Sequence, residues 1–220
     1  MKPSILEVAG LKSTTFVAEV KLKSPFGFES DHNWDELTAL ARLVGDIVSV
    51  HIDARWGGEM DNINKMKHIL GETKFAQPIL AKGLINNADD VHDCLQRGAS
   101  YVLVTNPDLL DQFEPGICWY ELPYNKETIR QVKFKREHVY VYNARNIETG
   151  ERAENNWDYV RSLHRGTLVQ ASFIREVDDI KRNADIIIVG EHLPDLVAEL
   201  NDLIAADNKK HKDKKKKKKK

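Results

Sequence analysis

The sequence predicts an α/β fold, a single closed (β/α)8 barrel of eight parallel strands. Three observations carry that expectation. Eight short apolar runs recur along the chain with helix-like segments between them. Most of the runs are nearly continuous rather than alternating, which fits strands buried on both faces. The turn after the first run, Ser24-Pro25-Phe26-Gly27-Phe28, is not the Gly-rich dinucleotide turn that an open doubly wound sheet would more often show there. A length of 220 residues suits one such barrel.

In chain order the strands are expected at 15–21, 46–52, 77–83, 100–106, 116–123, 138–144, 166–173 and 184–190. After the first comes an amphipathic segment with Leu37, Leu40, Ala41 and Val44 on one face and Gly45 as a stop. After the third, Asp89 and Asp90 stand in a helical first turn and Gly98 at its end. The helix after the fourth strand, near Pro107, is expected to be short. Glu176 to Asn183 reads as the helix after the seventh, and an amphipathic helix from Leu193 follows the eighth. Alternating strand and helix units imply right-handed crossovers and a parallel sheet.

Residues 1–207 are assigned to the barrel and residues 208–220 to a disordered, Lys-rich tail. The formal net charge is −1, but residues 209–220 hold ten lysines and one aspartate, so the rest of the chain carries −10. An acidic body argues against specific nucleic-acid binding, and the tail is expected to be a solvated end. The two cysteines, Cys94 and Cys118, show neither metal spacing nor a disulfide framework. No apolar run has the length of a membrane helix, and the N-terminal stretch lacks the apolar core of a signal peptide. A cytoplasmic protein, monomeric or weakly oligomeric, is the expectation.

Chemistry in this fold sits at the C-terminal ends of the strands. Glu19 and Lys21, at spacing two, share a face of the first strand. Lys82 ends the third strand, Glu121 the fifth, Asn143 and Arg145 the sixth, and Ser172 lies near the end of the seventh. A barrel would bring all of them to one mouth. A salt-bridge cluster is the structural alternative for each charge. Five charges at one rim, however, pack poorly unless they serve acid–base work, for which proximity and desolvation would draw their pKa values toward neutrality. Independently, the loops after strands seven and eight form a phosphate site in many barrels; here they offer Ser172 and Gly190. His51 reads as packing, Trp56 as packing or a substrate contact, and His192 as solvent-facing.

The string of motifs resembles the indole-3-glycerol phosphate synthase family. Ala18-Glu19-Val20-Lys21 through Ser24-Pro25 is similar to the family's AEIKxxSP, and Val48 to Asp53 followed by Trp56-Gly57-Gly58 to ISVLTD…FGG. Pro78 to Leu84 is similar to PVLRKDF, Gly98 to Leu103 to GADxVLL, and Tyr120-Glu121-Leu122 to VEV. Asn143 to Ile147 is similar to NNRDL, Gln170 to Ile174 to AESGI, and Val189 to Pro194 to VGExLM. The likeness runs from about residue 16 to residue 194, in order and on every strand.

The resemblance implies a TIM-type barrel and a carboxy-lyase that closes the ring of 1-(2-carboxyphenylamino)-1-deoxyribulose 5-phosphate, without metal or cofactor. It implies Lys82 and Lys21 as proton donors, Glu121 and Glu19 as base and electrostatic partner, and Asn143 and Arg145 as holders of substrate and product. Ser24, Ser172 and the backbone at Gly190 are implied at the phosphate. The chain departs from the pattern at several places. Ala171 stands where the family has a glutamate, and Phe173 where it has a glycine. Gly83 and Leu84 replace an aspartate and an aromatic. About 14 residues precede strand one, where the family usually has additional helices. Two other readings therefore stand beside the synthase: a barrel acting on another sugar phosphate, and a non-catalytic binding barrel.

Overall fold

A computed structural model describes residues 6, 11, 14–71 and 76–217. The N-terminal stretch read as lacking a signal peptide lies almost wholly outside the described residues, as do the last three lysines of the tail. The strands are β1 (Thr15–Val20), β2 (Ile47–His51), β3 (Ile79–Ile85), β4 (Tyr101–Val104), β5 (Cys118–Glu121), β6 (Val139–Tyr142), β7 (Leu168–Gln170) and β8 (Ile186–Val189). Each pairs in parallel with the next, and β8 pairs with β1, so the sheet closes into the expected (β/α)8 barrel. Every strand falls within or close to its expected span.

The apolar runs divide by the strand period of two. Val17, Ile47, Leu80, Leu103, Trp119, Val139, Val141, Val169 and Ile188 form one core cluster. These are the inward positions, and they fill the barrel. The alternate residues, such as Phe16, Ala18, Val48 and Val50, belong to a second, larger cluster with the helices. Burial on both faces explains why the strands read as unbroken apolar runs.

The helices are α1 (Trp34–Val44), α2 (Asn62–Leu70), α3 (Ala88–Arg97), α4 (Lys126–Ile129), α5 (Trp157–Leu163) and α6 (Leu193–Lys217). Asn33, Asn87 and Asn125 cap α1, α3 and α4, each side chain accepting from a backbone N–H of the first turn. Gly45 ends α1 in extended backbone; a Cβ there would lie 2.7 Å from the Ile47 carbonyl oxygen, so close packing demands the glycine.

Two connections differ from a regular barrel. β4 is followed by a 3-10 turn over Pro107–Asp111, short as expected. The helix expected over Glu176 to Asn183 is a single 3-10 turn, Val177–Asp179. The buried Gln170 side chain explains it: its amide donates to the Asp179 carbonyl at 3.0 Å and accepts from the Lys181 N–H at 2.9 Å. Those are backbone groups that a longer helix would pair with itself. The last helix, α6, runs from Leu193 past residue 207 to Lys217. Lysine is a good helix former, and the helix is already nucleated on the core by Leu193, Leu196, Val197 and Leu200.

Candidate active site

The inward rows change character along the strands. On β1 the row reads Val17, Glu19, then Lys21 beyond the strand end; on β2 it reads Ile47, Ser49, His51; on β3, Leu80 then Lys82; on β5, Trp119 then Glu121. Apolar residues plug the lower barrel, and polar ones line a cavity at the C-terminal ends of the strands. Glu19, Lys21, Lys82, Glu121, Asn143, Arg145, Ser172 and Gly190 all line it. Ser24 does not. Its hydroxyl accepts from the Phe26 N–H at 3.3 Å and its backbone N–H donates to the Phe28 carbonyl at 2.8 Å, so it shapes the loop after β1.

Glu19 is the hub. Lys82 Nζ donates to its Oε2 at 2.8 Å, and its Oε1 lies 2.5 Å from His51 Nε2. Only 5% of the Glu19 side chain is exposed. Burial alone would raise its pKa, but Lys82 and His51, with Lys21 farther off, outweigh this and hold the carboxyl well below the usual carboxylate range. Glu121 behaves oppositely. Burial pushes its carboxyl up, and the nearby Lys82 and the hydrogen bond from Asn143 Nδ2 at 2.9 Å offset this only in part. The expectation that both carboxylates shift toward neutrality therefore holds for Glu121 and fails for Glu19, because Glu19 has a lysine in direct contact.

A second ionic knot closes the other side. Lys21 Nζ donates to Glu191 Oε1 at 2.9 Å, and Arg145 donates to the same oxygen at 3.3 Å. Burial would raise the Glu191 pKa, but Lys21 and Arg145 together lower it. Arg145 also stacks over Phe26, its guanidinium carbon 5.4 Å from the ring centroid. Arg152 and Arg175 line the same cavity. Their guanidinium groups hold no hydrogen bond or ion pair among the described residues. The cavity thus has five lysine and arginine side chains against three glutamates, a surplus that suits an anionic ligand.

The departures from the family pattern take physical form here. Phe173 is the one non-glycine residue with a positive φ, 58°, among the described residues. The backbone keeps a left-handed conformation suited to glycine while carrying a bulky ring, at about 1–2 kcal/mol of strain. The ring packs against the outer core and lines the cavity. Ser172 Oγ accepts from the Ala144 N–H at 3.0 Å, which ties β7 to the loop after β6. Gly190 is needed by Glu19: a Cβ at position 190 would lie 2.9 Å from the Glu19 carboxylate.

Sequence reasoning missed His51, Glu191, Arg152 and Arg175. The position of His51 two residues beyond the inward Ser49 was a usable signal, and Glu191 follows Gly190 directly. The two arginines sit in irregular loops with no period to read. Cys94 and Cys118 are buried free thiols, their pKa values pushed up by burial to about 12 and about 11, so neither is a ready nucleophile. Among the described residues no group of three or more His, Cys, Asp or Glu side chains is arranged to hold a metal ion. No helix there is long and apolar enough to cross a membrane.

No family model and no curated protein matches the chain. Among solved structures it is similar to one from Aquifex aeolicus VF5, described only as a structural study of a project. That likeness spans 90% of this chain and 92% of the other, at 13% identity and a TM-score of 0.52. Such a likeness is one of fold.

Proposed function

We propose that the barrel mouth carries out acid–base chemistry on a phosphorylated keto substrate, and that the reaction is the decarboxylating ring closure of indole-3-glycerol phosphate synthase. One observation carries this reading. Lys82, a proton donor held on the ionised Glu19, shares a cavity with Glu121, whose carboxyl burial has pushed upward. Lys82 gives a proton to the ketone oxygen as the aryl carbon attacks the carbonyl carbon. Carbon dioxide leaves, and its bonding electrons restore the aromatic ring. Lys82 or Lys21 then protonates the new hydroxyl, which departs as water, pushed by the ring nitrogen. Glu121 removes the last proton from carbon to give the indole. Glu19 stays charged throughout and stabilises the cationic intermediates. Asn143 and Arg145 hold the substrate, and Ser172, Gly190 and the guanidinium groups of Arg152 and Arg175, which form no ion pair among the described residues, suit its phosphate.

Ala171 and Phe173 favour a second reading, a barrel of the same chemistry acting on a different phosphorylated substrate. Incubating the protein with 1-(2-carboxyphenylamino)-1-deoxyribulose 5-phosphate and following indole fluorescence separates them. The synthase reading expects turnover that falls by about 10²–10⁴ in Lys82→Ala. Substrate binding without turnover would overturn it.

A further inference from the structure

We infer that His51 is a positioning residue that fixes the Glu19 carboxylate and, through it, the ammonium group of Lys82. The catalytic part of this inference rests on the acid–base reading above; the geometric part does not. Three contacts hold His51 still. Its ring stacks on Trp56 with centroids 5.7 Å apart and planes 5° from parallel. Asn62 Nδ2 donates to its carbonyl oxygen at 3.1 Å. Gly58 lies so close that a Cβ there would sit 2.2 Å from the same oxygen. From this pillar Nε2 reaches Glu19 Oε1 at 2.5 Å. With Oε1 held, Oε2 faces Lys82 at 2.8 Å. A glutamate has three rotatable bonds, and without His51 only Lys82 itself would fix its carboxylate.

The protonation state agrees. Burial lowers the His51 pKa more than Glu19 raises it, so the ring is neutral and its proton sits on Nε2, facing the carboxylate. Nδ1 is then an acceptor, buried and without a hydrogen-bond partner among the described residues. The side-chain contact of the ring's polar atoms is therefore the one Nε2 makes to Glu19. The titratable groups around Glu19 are Lys21 just beyond the end of its own strand, the neutral His51 from β2, Lys82 from β3, Glu121 from β5 and Glu191 after β8; Asp53 lies on the far side of His51.

The test uses His51→Leu and His51→Gln in the full chain, both checked for folding by circular dichroism. Glutamine can still donate to Glu19 and leucine cannot. The first readout is titration of the Glu19 carboxyl by NMR with ¹³C-labelled glutamate, which needs no substrate. The second is turnover of the carboxyanilino substrate named above. In His51→Leu the Glu19 midpoint should move up, and kcat should fall by about 10²-fold with KM little changed. His51→Gln should restore both toward wild type. If His51→Leu does not fold, His51→Asn, polar but too short to reach, replaces it. A moved midpoint in a chain without turnover supports the positioning role and overturns the ring-closure reading. An unmoved midpoint, or full kcat in the leucine variant, overturns the positioning role.

Discussion

Glu19 and Glu121 are chemically identical side chains on inward positions of one barrel, yet their surroundings drive them apart. Glu19 meets a lysine and a histidine, whereas Glu121 meets the amide of Asn143. In the proposed chemistry this separation suits a permanent charge at Glu19 and a proton acceptor at Glu121. It also has consequences for stability. Glu19→Gln leaves Lys82 buried without its anion and should destabilise the fold by about 3–5 kcal/mol, measured by urea unfolding at neutral pH. Glu121→Gln should do the reverse. A carboxyl whose folded pKa is raised contributes stability below its unfolded pKa and loses it as pH rises through the folded one. The glutamine variant escapes that loss, so it should melt higher than wild type at neutral pH while losing activity. In wild type, kcat should fall on the acid side with a limb above the ordinary carboxylate range, and the low residual turnover of Glu121→Gln should lack that limb.

At the scale of elements, β8 and β1 meet where Gly190 passes Glu19. Gly190→Ala should therefore lower activity and the melting temperature together, since the group it displaces is the buried Glu19 carboxylate that pairs with Lys82 and His51. β7 tells a different story. Phe173→Gly relieves the strained φ but removes a packed ring, so stability should shift by no more than about 1 kcal/mol while inorganic phosphate binds more tightly, measured by calorimetry. Much of this arrangement was legible in the sequence. Period two put Glu19 and Lys21 inward, and eight buried runs implied closure. Two things were not legible. Gln170 reads as an ordinary strand residue, and only the fold shows that its amide captures the backbone of 179–181 and cuts the next helix short. Likewise the sequence does not show that the Ser24 hydroxyl accepts from the Phe26 N–H within its own turn.

For the whole molecule, the barrel concentrates cations at one mouth of an otherwise acidic body. Depressed pKa values at Glu19 and Glu191 add stability that is present above the unfolded carboxylate pKa of about 4.3 and lost as pH falls through the folded values. The melting temperature should therefore drop steeply below that pH. The central claim is that the gathered ammonium groups and carboxylates remove a carboxyl group as they close a ring. The most direct measurement is release of labelled carbon dioxide from substrate carrying ¹³C in its carboxyl group. Stoichiometric release with indole formation in wild type, lost in Lys82→Ala and Glu121→Gln, is the predicted result. Substrate that binds the mouth and keeps its label would contradict it.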